Sequence, residues 1–323
     1  MVRRIRRRSA RRMKREQKAK GLWLRNTALG ATALASAATL TSLATGPDSP
    51  AGASVPADTS VASSYWLAAA DGGVFAFGGA GFYGSMGNIH LNQPVVGMAA
   101  TPDDAGYWLV AADGGVFAFG NAGFYGSTGS LHLNAPIVGM AATPDGQGYW
   151  LVAADGGIFA FGDARFAGSI PGEGEFAGGV VGMARTSDGG GYYMIDSIGN
   201  VYSFGDATSY GSFTSYASQV ANPFGYLTMA IGISTNNGAP PVNPGYYGVA
   251  SDGQNASAGP GGLGALSPPS SSLTSPLVGF SADLGVTASG QVVPLGEAGT
   301  DPGVTGLPLN APVVGMHSFL SNT

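Results

Sequence analysis

From about residue 65 onward the chain is written in short apolar runs of five to seven residues, bounded by Gly, Pro, Asp and Asn. The runs are rich in aromatic and β-branched types, which fit a pleated surface and predict strands. No long stretch after residue 50 keeps a 3.6-residue period, so helices are not expected there. In the run that opens at Tyr107, the residues Trp108, Val110 and Ala112 point one way along a strand. Tyr107, Leu109 and Ala111 point the other way. Both sets are apolar, so both faces of the predicted strand are expected to be covered.

The runs repeat. Tyr107-Trp108-Leu109-Val110-Ala111-Ala112-Asp113-Gly114-Gly115-Val116-Phe117-Ala118-Phe119-Gly120 recurs almost unchanged from Tyr65 and from Tyr149, at spacings of 42 residues. Weaker copies open at Tyr192 and Tyr246, and a degraded one runs from Leu284 to Gly296. Between them stands a second block, Pro94-Val-Val-Gly-Met-Ala, seen again at Pro136, Val180, Pro276 and Pro312. Asp113-Gly114-Gly115 is hairpin chemistry, because such a turn needs positive φ. Thr143-Pro144-Asp145-Gly146 is a second turn, with Pro fixing φ. The unit then reads as strand A (138–143), B (149–154), C (158–162) and a short D around Phe166–Ser169.

A unit of about 42 residues with four strands has the size of a propeller blade, and a radial array covers both faces of every sheet. The B strands at Tyr65, Tyr107, Tyr149, Tyr192, Tyr246 and Leu284 predict six blades. The first repeat lacks its own A strand, and the last A block, Pro312–His317, lacks its own B strand. The expected fold is therefore all-β: a six-bladed β-propeller over residues 65–320, closed by a C-terminal strand. Closure would leave no unpaired edge. Insertions at 208–222 and 235–244 stretch the fourth repeat, and a Ser/Gly/Pro-rich stretch, 255–276, falls in the fifth.

The phrase Gly148-Tyr-Trp-Leu-Val-Ala-Ala-Asp-Gly-Gly-Ile-Phe-Ala-Phe-Gly-Asp-Ala resembles repeats common in secreted actinobacterial proteins. The resemblance covers residues 65–186 and fades after 205. It implies a propeller like those of the kelch and tryptophan-aspartate repeat families. It also implies a place at the cell surface, where such repeats often accompany cell-wall hydrolase or peptidase domains.

Charge sharpens this picture. Of 14 Lys and Arg residues, 12 lie between Arg3 and Arg25. Beyond Ala53 there remain Arg165 and Arg185 against 17 acidic side chains, a net charge of −15. Such a domain repels phosphate backbones, so nucleic acid is excluded as a partner. The absence of Cys excludes disulfides, thiolate metal sites and Cys nucleophiles. The basic start, the mildly apolar stretch Ala28–Gly46 and Ala51-Gly52-Ala53 have the order of an export signal. Residues 1–53 are expected to be a signal peptide and 54–64 a linker. The alternative is an uncleaved N-terminal anchor, the one case that would make a membrane a partner. The expected location is secreted or cell-surface.

In a propeller the B–C and D–A loops share one face. Asp71, Asp113, Asp155 and Asp252 occupy equivalent B–C turns. His90 and His132, with Asn92 and Asn134, occupy equivalent D–A loops. A ring of carboxylates and carbonyls has the chemistry to bind Ca²⁺ or a glycan. The competing reading is that Asp-Gly makes the turn and Asn caps it. The two His lack a third ligand for Zn²⁺. Periodic aromatics such as Tyr107, Trp108, Phe117 and Phe119 read as core, whereas Phe82-Tyr83 and Phe124-Tyr125 sit nearer the rim and suit a sugar platform. Glu173 and Glu175 lack the geometry that would define a glycosidase pair. With no catalytic constellation and no cofactor otherwise implied, the expected function is a binding module for an extracellular protein or glycan. An extracellular hydrolase working on cell-wall glycan or an ester from the propeller face is the alternative.

Overall fold

The computed structural model describes residues 63–174, 179–214, 230–235, 246–250, 255–260, 262–263, 276–281, 284–294 and 309–320. The expected export segment, nearly all of the linker and Asp252 lie outside these. The fold is all-β, with a turn of 3₁₀-helix at Pro171–Glu173.

The strands follow the repeat. The chain runs through β1 (Ser63–Ala69) and β2 (Val74–Phe77), then β3 (Val95–Ala100), β4 (Gly106–Ala111) and β5 (Val116–Gly120). Next come β6 (Ile137–Ala142), β7 (Gly148–Ala153) and β8 (Ile158–Gly162), followed by β9 (Val180–Arg185), β10 (Gly191–Asp196) and β11 (Val201–Gly205). After these lie β12 (Ala230–Thr235), β13 (Tyr246–Ala250), β14 (Asn255–Gly259) and β15 (Gly262–Leu263). The last are β16 (Leu277–Ser281), β17 (Leu284–Thr287), β18 (Val292–Pro294) and β19 (Val313–Leu320). All belong to one unit, Asp58–Thr323.

They form six antiparallel sheets. The first, β19-β1-β2, joins the last strand to the first. The others are β3-β4-β5, β6-β7-β8, β9-β10-β11, β12-β13-β14-β15 and β16-β17-β18. The middle strands β1, β4, β7, β10, β13 and β17 begin at or within two residues of the six expected B strands. Every residue of β4, β7 and β10 is buried, as continuous apolar runs require.

Two expectations need correction. Five of the six sheets have three described strands, not four. The segments Phe124–Ser127 and Phe166–Ser169 form no strand, because their backbone groups are engaged elsewhere. The N–H groups of Tyr125 and Gly126 both donate to the Tyr149 hydroxyl of the next sheet, at 3.1 Å. Gly126 also takes φ 136°, which no strand residue uses. In the fifth repeat, Asn255–Gly259 is not insertion but the strand β14, paired with β13.

The Val-Val-Gly block has a local cause. In each of the six sheets the first-layer strand carries a register shift just before its Gly. Val95 opposes Ala111 while Gly97 opposes Val110, which leaves Val96 bulged. In β19, Val313 opposes Ala69 and Gly315 opposes Ala68, which leaves Val314 bulged. Two consecutive Val break the period of two, and the bulge absorbs the extra residue.

The glycine after the bulge stands where neighbouring sheets meet, tightly at Gly279 and at ordinary contact distance at Gly315 and Gly97. A Cβ on Gly279 would lie 3.2 Å from the Cα of Gly315, one on Gly315 would lie 3.8 Å from the Cα of Gly97, and one on Gly97 would lie 3.6 Å from the Cα of Gly139. The first-layer strands pack in series: β3 on β6, β6 on β9, β9 on β12, β12 on β16, β16 on β19, and β19 on β3. Polar contacts flank β19 on both sides. Ser318 donates from its N–H to Ser281 Oγ and from its hydroxyl to the Ser281 carbonyl, both at 3.0 Å. His317 Nε2 lies 3.7 Å from Asp104 Oδ1.

Candidate ligand-binding face

The Tyr-Trp pair of β1, β4 and β7 ties these strands to the loops around them and fixes what is left exposed. Trp108 Nε1–H donates to the Gly123 carbonyl of its own repeat at 2.6 Å, and Trp66 and Trp150 do the same to Gly81 and Arg165 at 2.7 and 2.8 Å. The hydroxyls of Tyr107, Tyr149 and Tyr192 donate across to the preceding repeat, at Gly84, Gly126 and Gly168, over 2.5–2.6 Å. These bonds hold both ends of the loops Gly81–Gly84, Gly123–Gly126 and Arg165–Gly168. Burial pushes the hydroxyls of Tyr107, Tyr149, Tyr192 and Tyr246 above the usual phenol range. The Tyr193 hydroxyl is driven up to about 12, mainly by burial.

Within the loop the two aromatics differ. Tyr125 is committed to the scaffold: its ring lies 5.8 Å from that of Tyr149, and its hydroxyl donates to the Gly146 carbonyl at 3.0 Å. Tyr83 is held in the same way, by Tyr107 and the Asp104 carbonyl. Phe82, Phe124 and Phe166 instead point into solvent, 61%, 62% and 62% exposed. Of the two rim aromatics expected to form a platform, the Phe is therefore available and the Tyr is not.

The B–C turn behaves as a turn. One carboxylate oxygen of Asp71, Asp113 and Asp155 accepts the N–H of Gly73, Gly115 and Gly157, each at 2.9 Å. The loop that leads into β3 of the same sheet lies against it, with the Ala112 N–H bonded to the Pro94 carbonyl at 2.9 Å. Asn92 and Asp113 consequently line one open groove of about 280 Å³, together with Leu91, Gln93, Phe117 and Phe124. His90 and His132 are exposed, and neither lines this groove. Asn134 is exposed at the corresponding place beside Asp155. Among the described residues no three His, Asp or Glu side chains gather as metal ligands.

The opposite loops hold pairs that spacing alone does not single out. Asn121 Nδ2 donates to both carboxylate oxygens of Asp103, at 3.0 and 2.8 Å. In the next two repeats the Asn position is Asp163 and Asp206, so two carboxylates face each other. Thr186 Oγ1 lies within 2.9 Å of Asp188 and 3.0 Å of Asp206. The Asn121 amide holds the Asp103 carboxyl below its ordinary range. The N–H groups of Gln147 and Gly190 do so for Asp145 and Asp188. The signal was the residue after Phe-Gly in each repeat: Asn121, Asp163 and Asp206. Glu173 is the last residue of the 3₁₀ turn and is exposed to water, and Glu175 lies outside the described residues. No helix among the described residues is long and apolar enough to cross a membrane. Compared with known proteins, the chain matches no family model and no curated protein.

Proposed function

We propose that this chain is an exported, closed six-bladed β-propeller that acts as a binding module at the cell surface or in the medium, of the kind found in secreted actinobacterial repeat proteins. Six sheets with middle strands at the repeat spacing support the propeller reading. So do the serial packing of the first-layer strands, which returns from β19 to β3, and the pairing of β19 with β1. A ring of this kind gives rigid loops, and rigidly held loops are where binding residues concentrate. The basic and apolar N-terminal order supports export.

The observation that carries the binding reading is the row of Phe82, Phe124 and Phe166. Each is exposed, and beside Phe82 and Phe124 the neighbouring Tyr83 and Tyr125 are committed to the scaffold. What supports a contact site is that the same exposed Phe returns at the equivalent position of three successive repeats, where a lone exposed apolar side chain would carry no argument. The partner class is an envelope glycan or protein. Co-sedimentation of the full chain with insoluble cell-envelope material tests this. Retention is expected, and loss of retention on replacing all three Phe by Ala. A chain that stays in the supernatant in both forms contradicts it.

A further inference from the structure

The exposed Phe is one member of a three-part constellation that occurs three times. In the second sheet it is Asn92, Asp113 and Phe124, all lining the groove. In the third it is Asn134, Asp155 and Phe166. In the first, Leu309-Asn310-Ala311-Pro312 repeats Leu133-Asn134-Ala135-Pro136, so the set is Asn310, Asp71 and Phe82. The backbone geometry of the three is the same. Ala70, Ala112 and Ala154 donate their N–H to Pro312, Pro94 and Pro136, each at 2.9 Å. This places each Asn two residues before the bond that ties its loop to the Asp turn.

The chemistry of the set is specific. The Asn amides are exposed and make no hydrogen bond to any described residue. Each Asp spends one oxygen on its own turn. An amide offers both donors and an acceptor, and a carboxylate offers acceptors only. Beside them stands an aromatic face. A sugar ring presents an apolar C–H face to an aromatic and hydroxyls to amide and carboxylate. An anionic ligand is disfavoured, because the chain beyond Ala53 carries a net −15. Of its two cations, Arg185 is turned onto the carbonyls of Thr186 and Ser187. Three equal subsites on successive repeats suit a ligand that itself repeats.

We infer that these three constellations are subsites for a neutral polysaccharide, one sugar face on each of Phe82, Phe124 and Phe166. The inference rests on the binding reading above and names its ligand and its site. Linked subsites strengthen one another, because each bound unit raises the local concentration of the next.

The test is native electrophoresis of the full chain through gels containing a soluble neutral glucan, mannan or galactan. At least one of these is expected to retard it. Hydroxyethyl-cellulose should do so more than carboxymethyl-cellulose wherever glucan is bound. Replacing one Phe by Ala should weaken retardation by about tenfold, the scale of one stacking contact. Replacing all three should abolish it. These residues are exposed, so the variants should melt as the parent does. Should the triple variant fail to fold, Asn92→Ala with Asn134→Ala supplies the second readout, again a weakening. Retardation that survives the triple replacement overturns the assignment of the site. No retardation by any neutral polymer overturns the ligand class. If the triple replacement nonetheless abolishes envelope retention through a protein, the binding reading stands without this inference.

Discussion

The hydroxyl of Tyr149 donates to the carbonyl oxygen of Gly126 at 2.6 Å, while the N–H of the same glycine donates back to that hydroxyl at 3.1 Å. One side chain from a middle strand thus satisfies both backbone groups of a residue in the preceding repeat. Tyr107 makes the same donation to Gly84, Tyr192 to Gly168, and Tyr246 to Gly211. The chain needs these bonds because its Gly-Phe-Tyr-Gly loops join no ladder.

Tyr149→Phe should therefore destabilise the fold by about 1–3 kcal/mol, the cost of leaving partly buried backbone groups without a partner. For a domain of this size each kcal/mol lowers the melting temperature by about 2–4 °C. Calorimetric melts of the variant, beside the exposed replacement Phe124→Leu as a control, check it. Equal melting temperatures for both would remove the hydroxyl from the account.

Gly126 and Gly97 are both glycines facing a neighbouring repeat, yet they should differ sharply. A Cβ at Gly126 would stand 2.6 Å from Phe161 Cδ1, at φ 136°. One at Gly97 would meet nothing closer than 3.5 Å. Gly126→Ala combines backbone strain with overpacking and should cost about 2–5 kcal/mol. Gly97→Ala should cost less than about 1.5 kcal/mol, as a tolerated filling of space. Urea unfolding midpoints decide the order.

Alkali should unfold the chain cooperatively. An exposed tyrosine ionises near pH ~10. In the folded chain burial holds Tyr107, Tyr149, Tyr192 and Tyr246 above that, and Tyr193 at about 12. Folded values raised above unfolded ones give stability that is complete below pH ~10 and is lost as pH climbs through the folded values. Phenolate absorbance and circular dichroism should change together in that window. Complete phenolate formation with the dichroism intact would contradict the burial of these hydroxyls.

Much of this architecture is legible along the chain, and the reasons are local. The Tyr-Trp-Leu runs of β1, β4 and β7 are placed because each is apolar on both faces and lies next to an Asp-Gly turn, and the weaker copies at β10, β13 and β17 are found by their spacing from these. The expected D strand fails for a physical reason. Phe124–Ser127 has strand composition, but pairing depends on what its N–H groups bond, and they bond a tyrosine hydroxyl of the next repeat. The Val96 bulge is written as Val-Val before Gly, a break in the period of two. At the candidate site, alignment of repeats finds Asn92, Asp113 and Phe124. It does not separate the exposed Phe124 from the committed Tyr125, whose ring packs beside Tyr149 and whose hydroxyl reaches the Gly146 carbonyl. The copy at Asn310 and Asp71 is harder still, because its members stand at opposite ends of the repeat region and meet only if the chain closes on itself.

Removing residues 311–323 should cost far more than a terminal position suggests. Val313 and Met316 are buried in one cluster with Tyr65, Leu67, Leu284 and Val286. At about 25 cal/mol per Å² of apolar area, a strand burying a few hundred Å² contributes several kcal/mol. That is a large share of a total stability of about 5–15 kcal/mol. The truncated chain should aggregate or melt far below the intact one, and equal melting would contradict the contribution assigned to β19.

Ring closure is tested most directly by residue-resolved amide hydrogen exchange of β1 in the intact chain. Its two neighbours are β2 and β19, so its amides divide into those that face each. Bonded amides in a core strand exchange only on large-scale opening, whereas those on a free edge exchange rapidly. If β19 pairs with β1 in solution, Tyr65–Ala69 should be protected without alternation, to the level of Tyr107–Ala111 in β4. Rapid exchange at every second residue of β1, with β4 still protected, would show an open edge and contradict closure.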